Sequence, residues 1–173
     1  VNLVNELLDL ARIEARQGRD FTRRLVPLQP LVERTLSGLL VHDDPRKVET
    51  LLPTDPVLVE VDPDKIQQAI TNVLSNAYKY SRGQGRIVLD LVHRQVDGAT
   101  QVGVRVSDEG IGMTPEQLRR VFERFYRADT SGNIPGTGLG MAITKEVLEL
   151  HGGSVDVASS AGKGTTVTLW LPI

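Results

Sequence analysis

The chain predicts an α+β fold: a two-layer α/β sandwich in which helices cover one face of a mixed sheet. Three features point there. β-rich runs and helical periodicities follow one another in mixed order, two neighbouring runs read as a hairpin, and a long amphipathic helix lies between them. With 173 residues, 40% of them hydrophobic, the chain has material for one core and a little more.

Taken in order, Val1 to Arg16 places Leu3, Val4, Leu7, Leu8, Leu10, Ala11 and Ala15 at helical spacing. A stripe that wide needs cover, either from bundle partners in the same or another chain or from the domain that follows. The segment reads as the end of a long helix followed by a polar break, Gln17 to Asp20. A chain that opens at Val1 inside a helical pattern reads as part of something longer. Phe21 to Leu28 looks like a strand, and Pro30 to Leu40 is helical through Leu31, Val32, Leu36, Leu39 and Leu40. Val48 to Leu52 and Val57 to Val61 are short strands separated by Pro53 and Pro56.

The central helix spans Asp62 to Ser81. Asp62 can accept from the free amides of the first turn, Pro63 loses nothing there, and Gly83 offers a stop. Ile66, Ala69, Ile70, Val73, Leu74 and Ala77 form the core arc, and Gln67, Gln68, Thr71, Ser75 and Tyr78 take the watery side. Asn72, Asn76 and Lys79 fall along one edge of the apolar stripe, with Tyr80 just inside it. Asparagine is a poor helix former, so two of them one turn apart fit either an ordinary polar border or the lining of a cleft.

Arg86 to His93 and Val102 to Val106 are alternating strands joined by a turn around Asp97 and Gly98. Thr114 to Gln117 form a capping box for a helix reaching about Phe122. Ala128 to Gly136 is a polar loop containing Gly and Pro, and Leu139 to Leu150 is a helix closed by Gly152. Ser154 to Ala158 and Thr165 to Leu171 finish the chain as strands. In the last of these Trp170 falls on the face opposite Val167, Leu169 and Leu171, where it is expected to pack against a helix or the amino-terminal segment.

Composition narrows the function. The 20 basic and 22 acidic residues nearly balance, which argues against nucleic acid or a polybasic membrane surface as the main partner. There is no cysteine, hence no disulfide framework and no thiolate metal site or nucleophile. No apolar run is long enough to span a bilayer, and none reads as a signal peptide.

Two glycine loops stand out. Asp108, Glu109, Gly110, Ile111 and Gly112 follow a strand directly. A carboxylate there can accept from an exocyclic amine while the backbone approaches a flat ring, although Asp and Gly also fill ordinary turns. Gly136, Thr137, Gly138, Leu139 and Gly140 open a helix, where unpaired N–H groups and the positive dipole end suit a polyphosphate. Neither the phosphate-loop nor the dinucleotide glycine spacing is present. Between these loops FERFYR supplies Arg124 and Arg127, which fit either phosphate-side cations or a solvated helix end.

These motifs, in this order, resemble the catalytic, ATP-binding domain of sensor histidine kinases, within the superfamily that also holds gyrase, MutL and a heat-shock chaperone class. NVLSNAYKYS is similar to the family's asparagine box, DEGIG to its first glycine box, FERFYR to its phenylalanine box, GTGLGMAI to its second glycine box, and GKGTTVTLWLP to its closing turn and strand. The resemblance implies a Bergerat-type ATP-binding fold over residues 18–173, preceded at residues 1–17 by the end of a dimerisation and phosphoacceptor helix. It implies ATP and Mg²⁺ as ligands. Asn76 would give an oxygen to the metal, Asn72 would support the metal or its water, Lys79 would reach toward the phosphates, and Tyr80 would pack by the base. Asp108 would accept from the adenine amine, with Gly110 and Gly112 shaping that wall. Gly136, Thr137, Gly138, Leu139 and Gly140 would meet the phosphates and hinge a lid, and Arg124 or Arg127 would be the phosphate-side cation.

The lid sequence departs from the pattern at Pro135, which would stiffen one hinge, and at Met141, a mild packing change. None of His42, His93 or His151 has the neighbours of the family's acceptor histidine. His151 reads instead as a helix end near the negative dipole, and His42 and His93 as loop or strand residues. The acceptor is thus expected outside this chain. By the same resemblance the partners are the phosphoacceptor domain, a response-regulator receiver domain and a second copy of the full-length protein, in the cytoplasm, with membrane anchoring of the whole protein left open. Superfamily ATPases carry a glutamate where this chain has Asn72. An amide cannot serve as the base that activates water, which favours transfer over hydrolysis.

Overall fold

A computed structural model describes residues 3–39, 41, 43–81, 83–128 and 136–173. The expectations for His42 and Pro135 fall outside the described residues.

The element order is α1 (Leu3–Arg16), β1 (Arg24–Pro27), α2 (Leu28–Ser37), β2 (Glu49–Leu51), β3 (Leu58–Val61), α3 (Pro63–Ser81), β4 (Ile87–Val96), β5 (Ala99–Asp108), α4 (Pro115–Arg119), α5 (Gly140–Leu150), β6 (Ser154–Ser160) and β7 (Gly164–Pro172). Five strands form one mixed sheet in the order β2-β4-β5-β7-β6. Only the β2–β4 pair is parallel, and β1 and β3 pair antiparallel as a separate ribbon. Helices cover one face, as the sequence predicts.

Alternation decides which strand residues meet that layer. Ile87, Leu89, Val102, Val104, Val106, Val167, Leu169 and Leu171 are buried against Ile66, Ile70, Val73 and Leu74 of α3 and Ile143, Val147 and Leu148 of α5. Asp97 and Gly98 both take positive φ, the geometry of a two-residue hairpin between β4 and β5. The capping box is present as well: Thr114 Oγ1 accepts from the Gln117 N–H at 3.2 Å, and Gln117 Oε1 accepts from the Thr114 N–H at 2.9 Å.

The structure corrects several expectations. β1 is only four residues long, because Leu28 already opens α2 by donating its N–H to the Val57 carbonyl at 2.8 Å. Pro30 then sits in the first turn of α2, where its missing N–H has no helical partner to lose. α4 stops at Arg119 rather than near Phe122. The chain leaves it through turns that carry Phe125 to φ +65°. Tyr78 is buried, not watery: its hydroxyl donates to the Arg46 carbonyl at 2.8 Å and the Arg46 guanidinium lies over its ring.

Trp170 does occupy the face opposite Val167, Leu169 and Leu171, but its cover is neither a helix nor the amino-terminal segment. Its ring crosses Gly103, its register partner, where a Cβ would come within 2.9 Å of it. The Arg94 guanidinium lies 4.0 Å from the ring centroid, and the indole N–H donates to Asp156 at 2.9 Å.

α1 folds back on the domain by one side, burying Leu10 and Ile13, while Val4 and Leu8 remain exposed. The reading of α1 as a helix folded back on its own domain holds for that side.

Candidate functional site

The site begins with strand alternation. Val102, Val104 and Val106 face the helical layer, and the same period of two brings Asp108 to that face at the end of β5, opposite Thr165 of β7. The Asp108 carboxylate accepts from the Gly110 N–H at 2.8 Å. Burial pushes its pKa above the ordinary aspartate value, and the Gly110 and Thr165 N–H groups and the Arg46 charge act in the opposite direction.

Gly110 touches the end of α3. A Cβ on it would lie 2.2 Å from the Tyr80 carbonyl oxygen, and the next residue, Ile111, donates its N–H to that same oxygen at 3.0 Å. The loop after β5 is therefore fastened to the helix that carries the asparagines, and only glycine permits the approach.

Along α3, Asn72, Asn76, Lys79 and Tyr80 are all partly buried on the edge predicted from helical spacing. The Asn72 amide donates to the Gly140 carbonyl and the Thr144 hydroxyl, both at 3.4 Å, which ties α3 to the first turn of α5. Ahead of α5, Gly138 takes φ +79°, and its carbonyl accepts from the Phe125 N–H at 2.9 Å. A Cβ there would stand 2.6 Å from the Phe125 backbone. The Leu139 N–H donates to Thr137 Oγ1 at 3.3 Å.

These elements enclose a cavity of about 390 Å³, a size suited to a small organic ligand. Of the residues singled out from sequence, Asn72, Asn76, Lys79, Tyr80, Asp108, Gly112, Arg127, Gly136, Thr137, Gly138 and Gly140 line it. Gly110 stands behind the wall, and the Leu139 side chain is fully buried in the core. The two arginines separate. Arg127 lines the cavity with its Nη2 buried and without a hydrogen-bond partner among the described residues, whereas Arg124 pairs with Glu14 of α1 at 2.6 Å.

Sequence reasoning did not find three lining residues that matter. Thr165 faces Asp108 only because β5 and β7 pair, a fact of register that no local pattern carries. Met113 brings apolar surface from the loop after β5, and Glu6 enters from α1. Chemically the cavity offers a half-buried carboxylate and apolar walls at one end. At the other it offers glycine backbone, two side-chain amides, Lys79 and an unpaired guanidinium nitrogen. A buried guanidinium nitrogen without a partner calls for an anion.

Comparison with known proteins gives a consistent result. A family model described as histidine kinase-, DNA gyrase B- and HSP90-like ATPase matches residues 61–173. The sensor protein kinase WalK of Staphylococcus saprophyticus is 33% identical over 177 residues, covering 99% of this chain and 28% of that protein. Full-length ShkA in complex with AMPPNP superposes with a TM-score of 0.81 at 26% identity, over 98% of this chain and 35% of that one. The histidine kinase domain of the E. coli osmosensor EnvZ gives 0.65 at 28% identity, over 90% and 92%.

Proposed function

We propose that this chain, which belongs to the histidine kinase-, DNA gyrase B- and HSP90-like ATPase family, binds Mg-ATP in the cavity between α3, the loop after β5 and the start of α5. We read it as the catalytic domain of a sensor histidine kinase. The observation that carries this reading is convergence: Asn76, Asp108, Arg127 and Gly138 come from four separate stretches and line one cavity. The likeness to sensor kinases over nearly the whole chain supports it, and the AMPPNP held by one structural relative supports an adenine nucleotide as ligand. Because the chain spans 28% of the sensor kinase it matches, the activity and partners of the whole protein belong to the proposal.

In this reading Asp108 accepts from the adenine amine through a carboxyl oxygen, and Tyr80, Ile111 and Met113 supply apolar surface beside the ring. Gly136, Gly138 and Gly140 present backbone to the phosphates at the positive end of α5. Lys79 and Arg127 neutralise phosphate charge. Asn76, with Asn72 behind it, would hold Mg²⁺. A single neutral side-chain oxygen suits an ion that keeps several waters and takes phosphate oxygens for the rest. When bound, that ion neutralises charge developing on the transferred group.

The reaction is attack by an imidazole nitrogen of an acceptor histidine on the γ-phosphorus. An N–P bond forms, the bond from phosphorus to the bridging oxygen breaks, and ADP leaves. This chain's residues position and neutralise the nucleotide. Asn72, an amide, provides no base to activate water at that site.

The domain assignment belongs to the same reading: residues 1–17 end a dimerisation and phosphoacceptor helix, and residues 18–173 are the catalytic domain. The acceptor would lie on a dimerisation domain of the same or the partner subunit of a homodimer, and the phosphate would pass on to a response-regulator receiver domain in the cytoplasm. Among the described residues no helix is long and apolar enough to cross a membrane. Incubation with ATP labelled at the γ-phosphate and a separately supplied acceptor domain tests the assignment. Acid-labile label on the acceptor histidine with slow phosphate release to water is expected. Fast release to water with no label on the acceptor would make it an ATPase instead.

A further inference from the structure

The first helix reaches into the cavity with an acidic residue, and this contact has no part in holding a nucleotide. At about 100° per residue, Glu6, Asp9, Leu10, Ile13 and Glu14 fall on one arc of α1. Leu10 and Ile13 are buried, so that arc is the docked side. The three carboxylates beside them each meet the catalytic domain. Thr137 donates its hydroxyl to Glu6, Gln68 of α3 donates to Asp9 at 3.4 Å, and Arg124 pairs with Glu14 at 2.6 Å. One of these partners lies on the phosphate side of the site. Thr137 sits between Gly136 and Gly138, and its hydroxyl also accepts from the Leu139 N–H. Arg124 belongs to the same six-residue block as Arg127.

We propose that α1 and the nucleotide's phosphates compete for this side of the cavity: Glu6 occupies the glycine stretch with negative charge and Glu14 holds the helix down through Arg124, so docking of α1 weakens nucleotide binding. The inference rests on the Mg-ATP reading above and adds regulation to that site. A triphosphate brought against Gly136 to Gly140 meets the Glu6 carboxylate head on, and like charges in a half-buried site repel. Linkage makes the effect reciprocal. A nucleotide that displaces Glu6 loosens α1, and any signal that pulls α1 off raises the affinity for nucleotide by the same factor. The exposed outer side of the helix, Val4 and Leu8, leaves room for such a pull without disturbing the docked face.

The test is calorimetric titration of the full chain with Mg-AMPPNP, for the unchanged protein, Glu6→Ala and Glu14→Ala, with amide hydrogen exchange over residues 3–16 measured with and without ligand. Both substitutions keep a good helix former on a helix, and thermal unfolding checks that the fold is intact. One lost hydrogen bond at a partly exposed site corresponds to about threefold to tenfold tighter binding for Glu6→Ala. The half-exposed Glu14 pair corresponds to about twofold or less. Exchange in α1 is expected to quicken on adding ligand to the unchanged protein, and to be already quicker without ligand in Glu6→Ala. Equal or weaker binding by Glu6→Ala, or α1 exchange indifferent to ligand, overturns the competition and leaves the Mg-ATP reading standing. Absence of binding by all three proteins overturns that reading, and the competition with it.

Discussion

The backbone N–H of Asp62 donates to Nε2 of His151 at 3.1 Å, joining the residue before α3 to the residue that caps α5. The other ring nitrogen lies 2.7 Å from the Val147 carbonyl, so Nδ1 carries the proton and the ring is neutral. Asp62 meanwhile caps its own helix, accepting from the Asp64 and Lys65 N–H groups, and accepts from Thr22 in the segment after α1. Phe21 stacks on the imidazole at 5.1 Å. His151 thus ends its helix as a neutral hydrogen-bonding group rather than as a cation answering the dipole.

That junction predicts an acid-side loss of stability. Burial lowers the His151 pKa, as does Arg23, while the Val147 carbonyl and Asp62 act against the shift, and Lys65 lies over the neighbouring Phe21 ring. Between the lowered folded value and the ordinary histidine value of 6.5 the unfolded chain binds more protons. Stability is therefore complete above 6.5 and declines as pH falls through the folded pKa. Thermal unfolding from pH 7.5 to 5 is expected to show this decline, with a flatter slope in His151→Gln.

Asp108 carries the opposite sign. Its folded pKa is raised by burial, so the folded chain holds its proton to higher pH than the unfolded chain does. Stability contributed at this position falls as pH rises through that value. Asp108→Asn should raise the melting temperature at pH 7 by roughly 1–4 °C while weakening nucleotide binding by about tenfold or more, a stability–function exchange read by calorimetry and thermal unfolding.

The two arginines of FERFYR should behave differently. Arg127→Ala removes the guanidinium that lines the cavity and should weaken Mg-AMPPNP binding by about tenfold. Arg124→Ala removes the partner of Glu14 and should leave affinity unchanged or slightly tighter. The reverse order would reassign the phosphate-side cation.

Trp170, the single tryptophan, reports on the face of the sheet away from the helices. Its emission should be that of a shielded indole, since it is 8% exposed under Arg94. Arg94→Ala should shift the emission to longer wavelength and cost about 1 kcal/mol, read by denaturant unfolding.

Much of this architecture was legible because it depends on local pattern. The six apolar positions of α3 and the edge formed by Asn72, Asn76 and Lys79 follow from helical spacing alone, and so does the capping box at Thr114. Burial of Tyr78 was not legible. Its ring is taken up by Arg46, more than thirty residues earlier, and only tertiary packing shows that. For Trp170 strand alternation carries the face but not the cover, because Gly103 and Arg94 reach it through strand register. The split between Arg124 and Arg127 depends on where α1 docks. Glu6 had no signal at all: an acidic residue on an exposed amphipathic helix looks the same whether it faces water or a cavity.

Titration of the chain with Mg-ATP, alongside Asn76→Ala, tests the central claim most directly. Saturable one-to-one binding that requires Mg²⁺ and weakens by about tenfold in Asn76→Ala is expected. An unchanged affinity in a folded Asn76→Ala protein, or no binding by the unchanged chain, would contradict the assignment.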